Sequence, residues 1–192
     1  MHNGCNMNIS NVAKNYISEY YCILERMIEE MRGAELGGSI SGNFIAQMIH
    51  HHKAAIEMSE NILKYTTLVP LERIAENIIS EQTASIENMC GIQCECNEMC
   101  SCKSDLCLYQ RNINAVMQQM FQSMKSAISN NNINCSFMRE MIPHHLGAVR
   151  MSETALQYNI CPRLVPILKA IIVSQKRGIG EMKALMCKIG CR

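Results

Sequence analysis

One motif is written twice in this chain: Met48-Ile49-His50-His51-His52-x-x-Ala55-x-x-Met58-Ser59-Glu60, and again Met141-Ile142-Pro143-His144-His145-x-x-Ala148-x-x-Met151-Ser152-Glu153. The match continues without a gap, at one fixed offset, from Met27 and Met31 (paired with Met120 and Met124) through Phe44/Phe137, Gln82/Gln175 and Met89/Met182 to Cys94/Cys187. Such self-similarity marks an internal duplication, so whatever the first half folds into, the second half repeats.

The pattern is helical almost throughout. Residues 10–32 place Val12, Tyr16, Tyr20, Ile23, Leu24, Met27 and Met31 at spacings of three and four, and stop before Gly33 and the Gly37-Gly38 pair. Asn43 is positioned to cap a second helix running to about Tyr65, which carries the His motif. Pro70 suits the first turn of a third helix that reaches Met89. The second half repeats the scheme with helices over about 108–129, 137–158 and 164–186. Pro143 falls within the fifth helix, where a proline removes one backbone bond and kinks the helix unless the helix starts near it. No stretch alternates apolar and polar residues long enough to be a strand. The expected architecture is all-α: six helices in two related halves, residues 10–90 and 108–187, separated by a cysteine-rich insert over 90–107.

At 192 residues the chain can bury a core without help from disulfides or metal. The formal net charge is +1, with no basic stripe interleaved with aromatics, which argues against nucleic acid or an anionic membrane as partner. Neither a secretory leader nor an eighteen-residue apolar run is seen, and Lys169 interrupts the best candidate; the expected location is the cytoplasm. In that reducing compartment the twelve cysteines favour metal-thiolate chemistry over structural disulfides.

On a helix, Met48, His51, His52, Ala55 and Met58 fall on neighbouring parts of one face, as do Met141, His144, His145, Ala148 and Met151. Each face offers imidazole and thioether donors around a small alanine. Any single methionine is most simply core filler, but adjacent histidines bracketed by methionine in both copies exceed what packing requires. Imidazole, thioether and thiolate together suit copper, above all Cu(I), and related soft ions. The insert supplies Cys90, Cys94, Cys96, Cys100, Cys102 and Cys107. Its Cys-x-Cys pairs match neither zinc ribbons nor ferredoxins and resemble metallothionein-like thiolate clusters. Cys187 and Cys191 can add ligands, whereas Cys22 and Cys161 read as small packed hydrophobes. No Glu-x-x-His occurs, so a di-iron carboxylate centre is disfavoured; no phosphate loop or nucleophile elbow occurs, and an enzyme is not expected.

With Phe44-x-x-x-Met48-Ile49-x-His51-His52-x-x-Ala55-x-x-Met58 and its copy from Phe137 to Met151, the sequence resembles the domain-of-unknown-function family numbered 305. The resemblance covers roughly residues 40–90 and 110–187. It implies a ferritin-like helical bundle and a kinship with the CopM copper-binding proteins of copper resistance. By resemblance, the Met and His residues named above are carried over as ligands, with Gln82, Met89, Gln175 and Met182 facing them from the next helix. The cysteine insert departs from the family pattern, and many members are exported or membrane-anchored.

The resulting expectation is a Cu(I)- or Ag(I)-binding bundle that sequesters, stores or transfers its ion. A redox-active or iron- or zinc-binding thiolate protein is one rival, and a purely structural or partner-binding Met-rich bundle is the other.

Overall fold

The computed structural model describes residues 9–191, so Cys5 lies outside the described residues. Seven helices follow in order: α1 Asn11–Gly33, α2 Ile40–Leu63, α3 Val69–Cys90, α4 Gln93–Glu98, α5 Lys103–Lys125, α6 Ile133–Ala155 and α7 Leu164–Lys188. Six of them are the expected long helices; the seventh, α4, is a short helix inside the cysteine insert. Residues matched at the fixed offset as far as Met89 and Met182 lie on α1 and α5, α2 and α6, and α3 and α7, whereas Cys94 lies on α4 and its match Cys187 on α7.

Helix starts follow from capping chemistry. Ser10 Oγ accepts from Ala13 N–H at 3.2 Å, opening α1, and Asn132 Oδ1 accepts from Cys135 N–H at 3.2 Å, opening α6. Pro70 sits in the first turn of α3, where its missing N–H costs nothing. The expected Asn43 cap is corrected. Ser39 caps α2 by accepting from Gly42 N–H at 3.2 Å, and Asn43, one turn into the helix, reaches back so that Gly37 N–H donates to its Oδ1 at 2.7 Å. α6 also begins earlier than expected, so Pro143 lies inside it rather than at its start.

α2 and α6 form the centre. They pack against each other, α1 and α3 flank α2, α5 and α6 pair, and α7 lies against both α6 and α3. The shared interior is apolar but rich in methionine: Met27, Met31, Met48, Met58, Met89, Met120, Met124, Met141, Met151 and Met182 are all buried. Unbranched thioethers fill the irregular gaps between helices without forcing a strained rotamer.

The insert folds back onto α2. Ser39 Oγ donates to the Cys96 carbonyl, Ser101 N–H donates to the Gly38 carbonyl at 2.8 Å, and Ile40 N–H donates to Ser101 Oγ at 3.1 Å. The approach is close enough that a Cβ on Gly42 would fall 2.1 Å from Asn97 Oδ1, which is why α2 has glycine there. Cys135 and Cys191 form a disulfide that ties the C-terminus to the start of α6. Cys191 is thereby removed from the expected thiolate set.

A polar strut crosses the core from α1 to α6. The Tyr16 hydroxyl donates to Glu140 Oε2, and Ser129 Oγ donates to Glu140 Oε1 at 3.1 Å, with Tyr16 and Glu140 both buried. Desolvation pushes the Glu140 carboxyl up to about 7, opposed by these two hydrogen bonds. Tyr16→Phe leaves a buried carboxyl short of a donor and should cost about 1–3 kcal/mol. Tyr16→Phe combined with Glu140→Met should cost less than the two single changes added together, checked by urea denaturation of all four chains. Strict additivity would show that the two groups do not act as a unit.

Candidate metal-binding core

His51 and His52 lie on α2 and His144 and His145 on α6, all four buried. Their rings form a row. His51 and His144 stack face to face with centroids 3.7 Å apart and planes 33° apart, and His52 and His145 extend the row at 5.8 and 6.0 Å from their neighbours.

The central pair is locked reciprocally. His51 Nε2 lies 3.2 Å from the His144 carbonyl oxygen, and His144 Nε2 lies 3.2 Å from the His51 carbonyl oxygen. A carbonyl oxygen can only accept, so both Nε2 atoms carry the proton, and in the neutral rings both Nδ1 atoms bear free lone pairs. Nδ1 of His51, His52, His144 and His145 is in every case buried and without a hydrogen-bond partner. Unpaired buried polar atoms are costly in an apolar interior. Such atoms recur at equivalent positions of the two helices, and for His51 and His144 the carbonyl bonds fix Nδ1 as the nitrogen with the lone pair.

Burial also keeps the rings neutral. Desolvation is the largest cause for all four, and neighbouring imidazoles add repulsion for His51, His52 and His145. His144 is lowered to about 4 and His52 to about 3, while His51 and His145 fall well below the ordinary value. A neutral imidazole is the form that ligates, so no proton competes with an ion at pH 7.

The methionines expected as ligands share α2 and α6 with the rings. Met48, Met58, Met141 and Met151 are buried on the same two helices, and Ala55 and Ala148 keep the centre of each face small. Gln82 of α3 and Gln175 of α7 are buried beside them, with both Gln82 amide atoms and the Gln175 oxygen unpartnered. A groove of about 470 Å³ between α3 and α7, lined by His52, Gln82, Ser85 and Gln175 among others, connects this region with the surface. Among the described residues no three or more His, Cys, Asp or Glu side chains converge as a metal site.

The two halves differ beside the outer rings. His52 Nε2 lies 3.1 Å from Ser85 Oγ. The residue matching Ser85 is Gly178, where an added Cβ would come within 3.1 Å of the His145 ring atoms Cδ2 and Nε2. His50, replaced by Pro143 in the copy, stays outside the core: it is partly exposed and pairs with Glu30 at 3.0 Å.

The insert behaves differently from the thiolate cluster read from sequence. Cys90, Cys94, Cys100, Cys102 and Cys107 are exposed and spread over the end of α3, α4, the following link and α5, while Cys96 alone is buried. Cys102 Sγ contacts Ser104 Oγ at 3.2 Å. Placing Cys94 and Cys96 on α4 and Cys107 on α5 fixes backbone that a shared cluster would need to wrap freely. Cys161 is buried as expected, whereas Cys22 is exposed and so is not a packing residue; Cys187 is exposed too. Three features escaped the sequence reading: the His51–His144 stack, the Ser85 partner of His52, and the Cys135–Cys191 pairing, since connectivity is not readable from cysteine spacing.

Together the fold and the core define a helical bundle whose two central helices present a closed row of neutral imidazoles among methionines. The chain belongs to the DUF305 family, domain of unknown function, whose model matches residues 24–94 and 42–186. Among solved structures it is similar to CopM in the Ag-bound form obtained by soaking: 26% identity, 77% of this chain and 95% of that chain covered, TM-score 0.57. It is also similar in fold to a DUF305 fragment from Deinococcus radiodurans, at 20% identity, 78% and 96% coverage and TM-score 0.56. No curated protein matches it. No helix among the described residues is long and apolar enough to cross a membrane.

The buried histidines predict an acid-sensitive metal-free chain. A histidine held below its ordinary value contributes stability that is present above about pH 6.5 and lost as pH falls, because the unfolded chain takes up the proton first. Glu140, raised, works the other way and gains stability as pH falls from about 7 to 4.5. The four lowered histidines outnumber the one raised carboxyl, so the net effect is loss of stability as pH falls below about 6.5. His144→Gln should flatten that slope by about one proton in urea titrations from pH 7 to 5; an unchanged slope would mean that His144 is not held neutral.

Proposed function

We propose that this protein binds soft monovalent metal ions, Cu(I) or Ag(I), as cargo, and sequesters, stores or passes them on rather than acting as an enzyme. The observation that carries this reading is the set of four buried, unpartnered imidazole Nδ1 atoms flanked by methionine. The likeness to CopM in its silver-bound form supports it from outside the chain.

The residues divide the work. His51 and His144 are oriented in advance, since each Nε2–H is held by the opposite backbone and each Nδ1 is left free. A hydrogen bond on the far nitrogen fixes the ring and raises its basicity as a ligand. Met48, Met58, Met141 and Met151 offer neutral thioethers. Imidazole and thioether bind without losing a proton, so binding releases none and the site takes on the ion's single positive charge. His52, at the groove, is the first ring an ion from the surface reaches. Exposed insert thiols, Cys90, Cys94, Cys100, Cys102 and Cys107, add surface capture that responds to oxidation.

Replacing His51, His52, His144 and His145 together by Gln should remove a whole class of Cu(I) sites from the reduced chain, read by competition with a chromogenic chelator under argon. Unchanged uptake would sink the assignment. Met48→Leu with Met141→Leu keeps volume and should cost less than 1.5 kcal/mol per site in stability. The same pair should lower Cu(I) affinity by at least tenfold, about 1.4 kcal/mol. Full affinity in that variant would reduce these methionines to packing.

A further inference from the structure

A second place in the molecule brings soft donors together. Cys96 of α4 and Cys161, in the link between α6 and α7, are both buried and both free thiols. Burial first, and then the neighbouring Cys161 thiol, pushes the Cys96 thiol up to about 12. Their backbones are fixed to adjacent points of α2: Ser39 Oγ donates to the Cys96 carbonyl, and Cys161 N–H donates to Ser41 Oγ at 2.8 Å. Sequence spacing gave no hint of this, because the two cysteines come from the insert and from the second half.

We propose that Cys96 and Cys161, anchored side by side on the first turn of α2, form a two-coordinate bis-thiolate site for a monovalent d10 ion, Cu(I) or Ag(I), separate from the histidine core. It rests on soft-ion handling as the task of the chain, and it adds a site of different chemistry. Two thiols are a donor set that suits a two-coordinate soft d10 ion rather than tetrahedral zinc, which takes four ligands. Glu95, whose Oε1 lies 3.9 Å from Cys161 Sγ, is paired with Arg163 at 2.8 Å. Arg163 is two residues from Cys161, and its exposed guanidinium is held over α4 by that pair. On binding, two S–H bonds break, two metal–sulfur bonds form, two protons leave to solvent and no electrons move. The complex carries one negative charge, and the Arg163 guanidinium is the cation placed to offset it.

The site also has a structural effect. Cys96 belongs to the insert and Cys161 to the loop that leads into α7, so an ion between them joins parts of the chain that are otherwise linked through α2 and the Glu95–Arg163 pair. Binding there should make the insert harder to detach.

The test is an anaerobic Ag(I) titration of the reduced, desalted full chain, with ions counted by native mass spectrometry and thiolate-to-metal absorption followed in the ultraviolet. Cys96→Ser with Cys161→Ser should hold one ion fewer than the parent, with far-UV dichroism unchanged. A second chain, with every cysteine but these two replaced by Ser, should hold one ion more than the cysteine-free chain and show the absorption band. It keeps the test valid should the first variant misfold. Equal counts within the second comparison would overturn the proposal, as would a two-cysteine chain that isolates as an internal disulfide and takes no ion. The two readings fail separately. With the four core histidines changed to Gln in the two-cysteine chain, one thiolate-bound ion should remain. If the histidine change removes nothing while the dithiol ion persists, the core reading fails and this site stands.

Discussion

The architecture turns on the pair of hydrogen bonds exchanged by His51 and His144. Each ring donates to the backbone of the opposite helix, so α2 and α6 are held by polar contacts at the centre of an apolar interface. Two imidazoles have been taken out of water at considerable cost, and the carbonyl bonds recover only half of their hydrogen-bonding capacity. Stacking at 3.7 Å and the surrounding methionines make the arrangement tolerable without satisfying the remaining nitrogens. Packing alone would be better served by leucine at these positions. The unrecovered half is what the interior keeps available for chemistry.

The same interaction explains why so much of the core is methionine. A row of rigid, planar rings leaves irregular spaces on both sides, and flexible thioethers fill them while offering sulfur to whatever sits among the rings. A methionine that packs and one that would ligate look alike in sequence: Met27 and Met120 lie on α1 and α5, and Met48 and Met141 on the helices that carry the rings, and all four are buried.

Much of the fold was legible because it is written locally. Periodicity of three and four over residues 10–32 and the stops at Gly33 and Gly37-Gly38 mark α1 almost to the residue. The cap of α2 was misplaced because Asn43 and Ser39 are both good caps, and the choice depends on how the insert seats against Gly42, a contact from distant sequence. The histidine motif pointed to the correct faces of α2 and α6, yet not to ring stacking, which is set by how closely two helices approach. The cysteines were the least legible. Their spacing suggested one cluster, but helical backbone at α4 and α5 separates them, and their pairings, Cys135 with Cys191 and Cys96 beside Cys161, join residues far apart in the chain. Cys22 read as packed because its neighbours are apolar; it lies on the outer face of α1.

Ser85 and Gly178 stand at matching positions, one carrying a hydroxyl and the other nothing. In the first half the outer imidazole leans on that hydroxyl through Nε2; in the second it abuts bare backbone. Two copies of a gene segment begin as equals, and a molecule that keeps them equal can only do the same thing twice. Here a single missing side chain gives the outer rings unequal tethers, so one ring must trade an existing bond before it can turn while its twin gives up nothing. Divergence of this kind makes the two outer rings inequivalent, one held through a side chain and the other free of that tether.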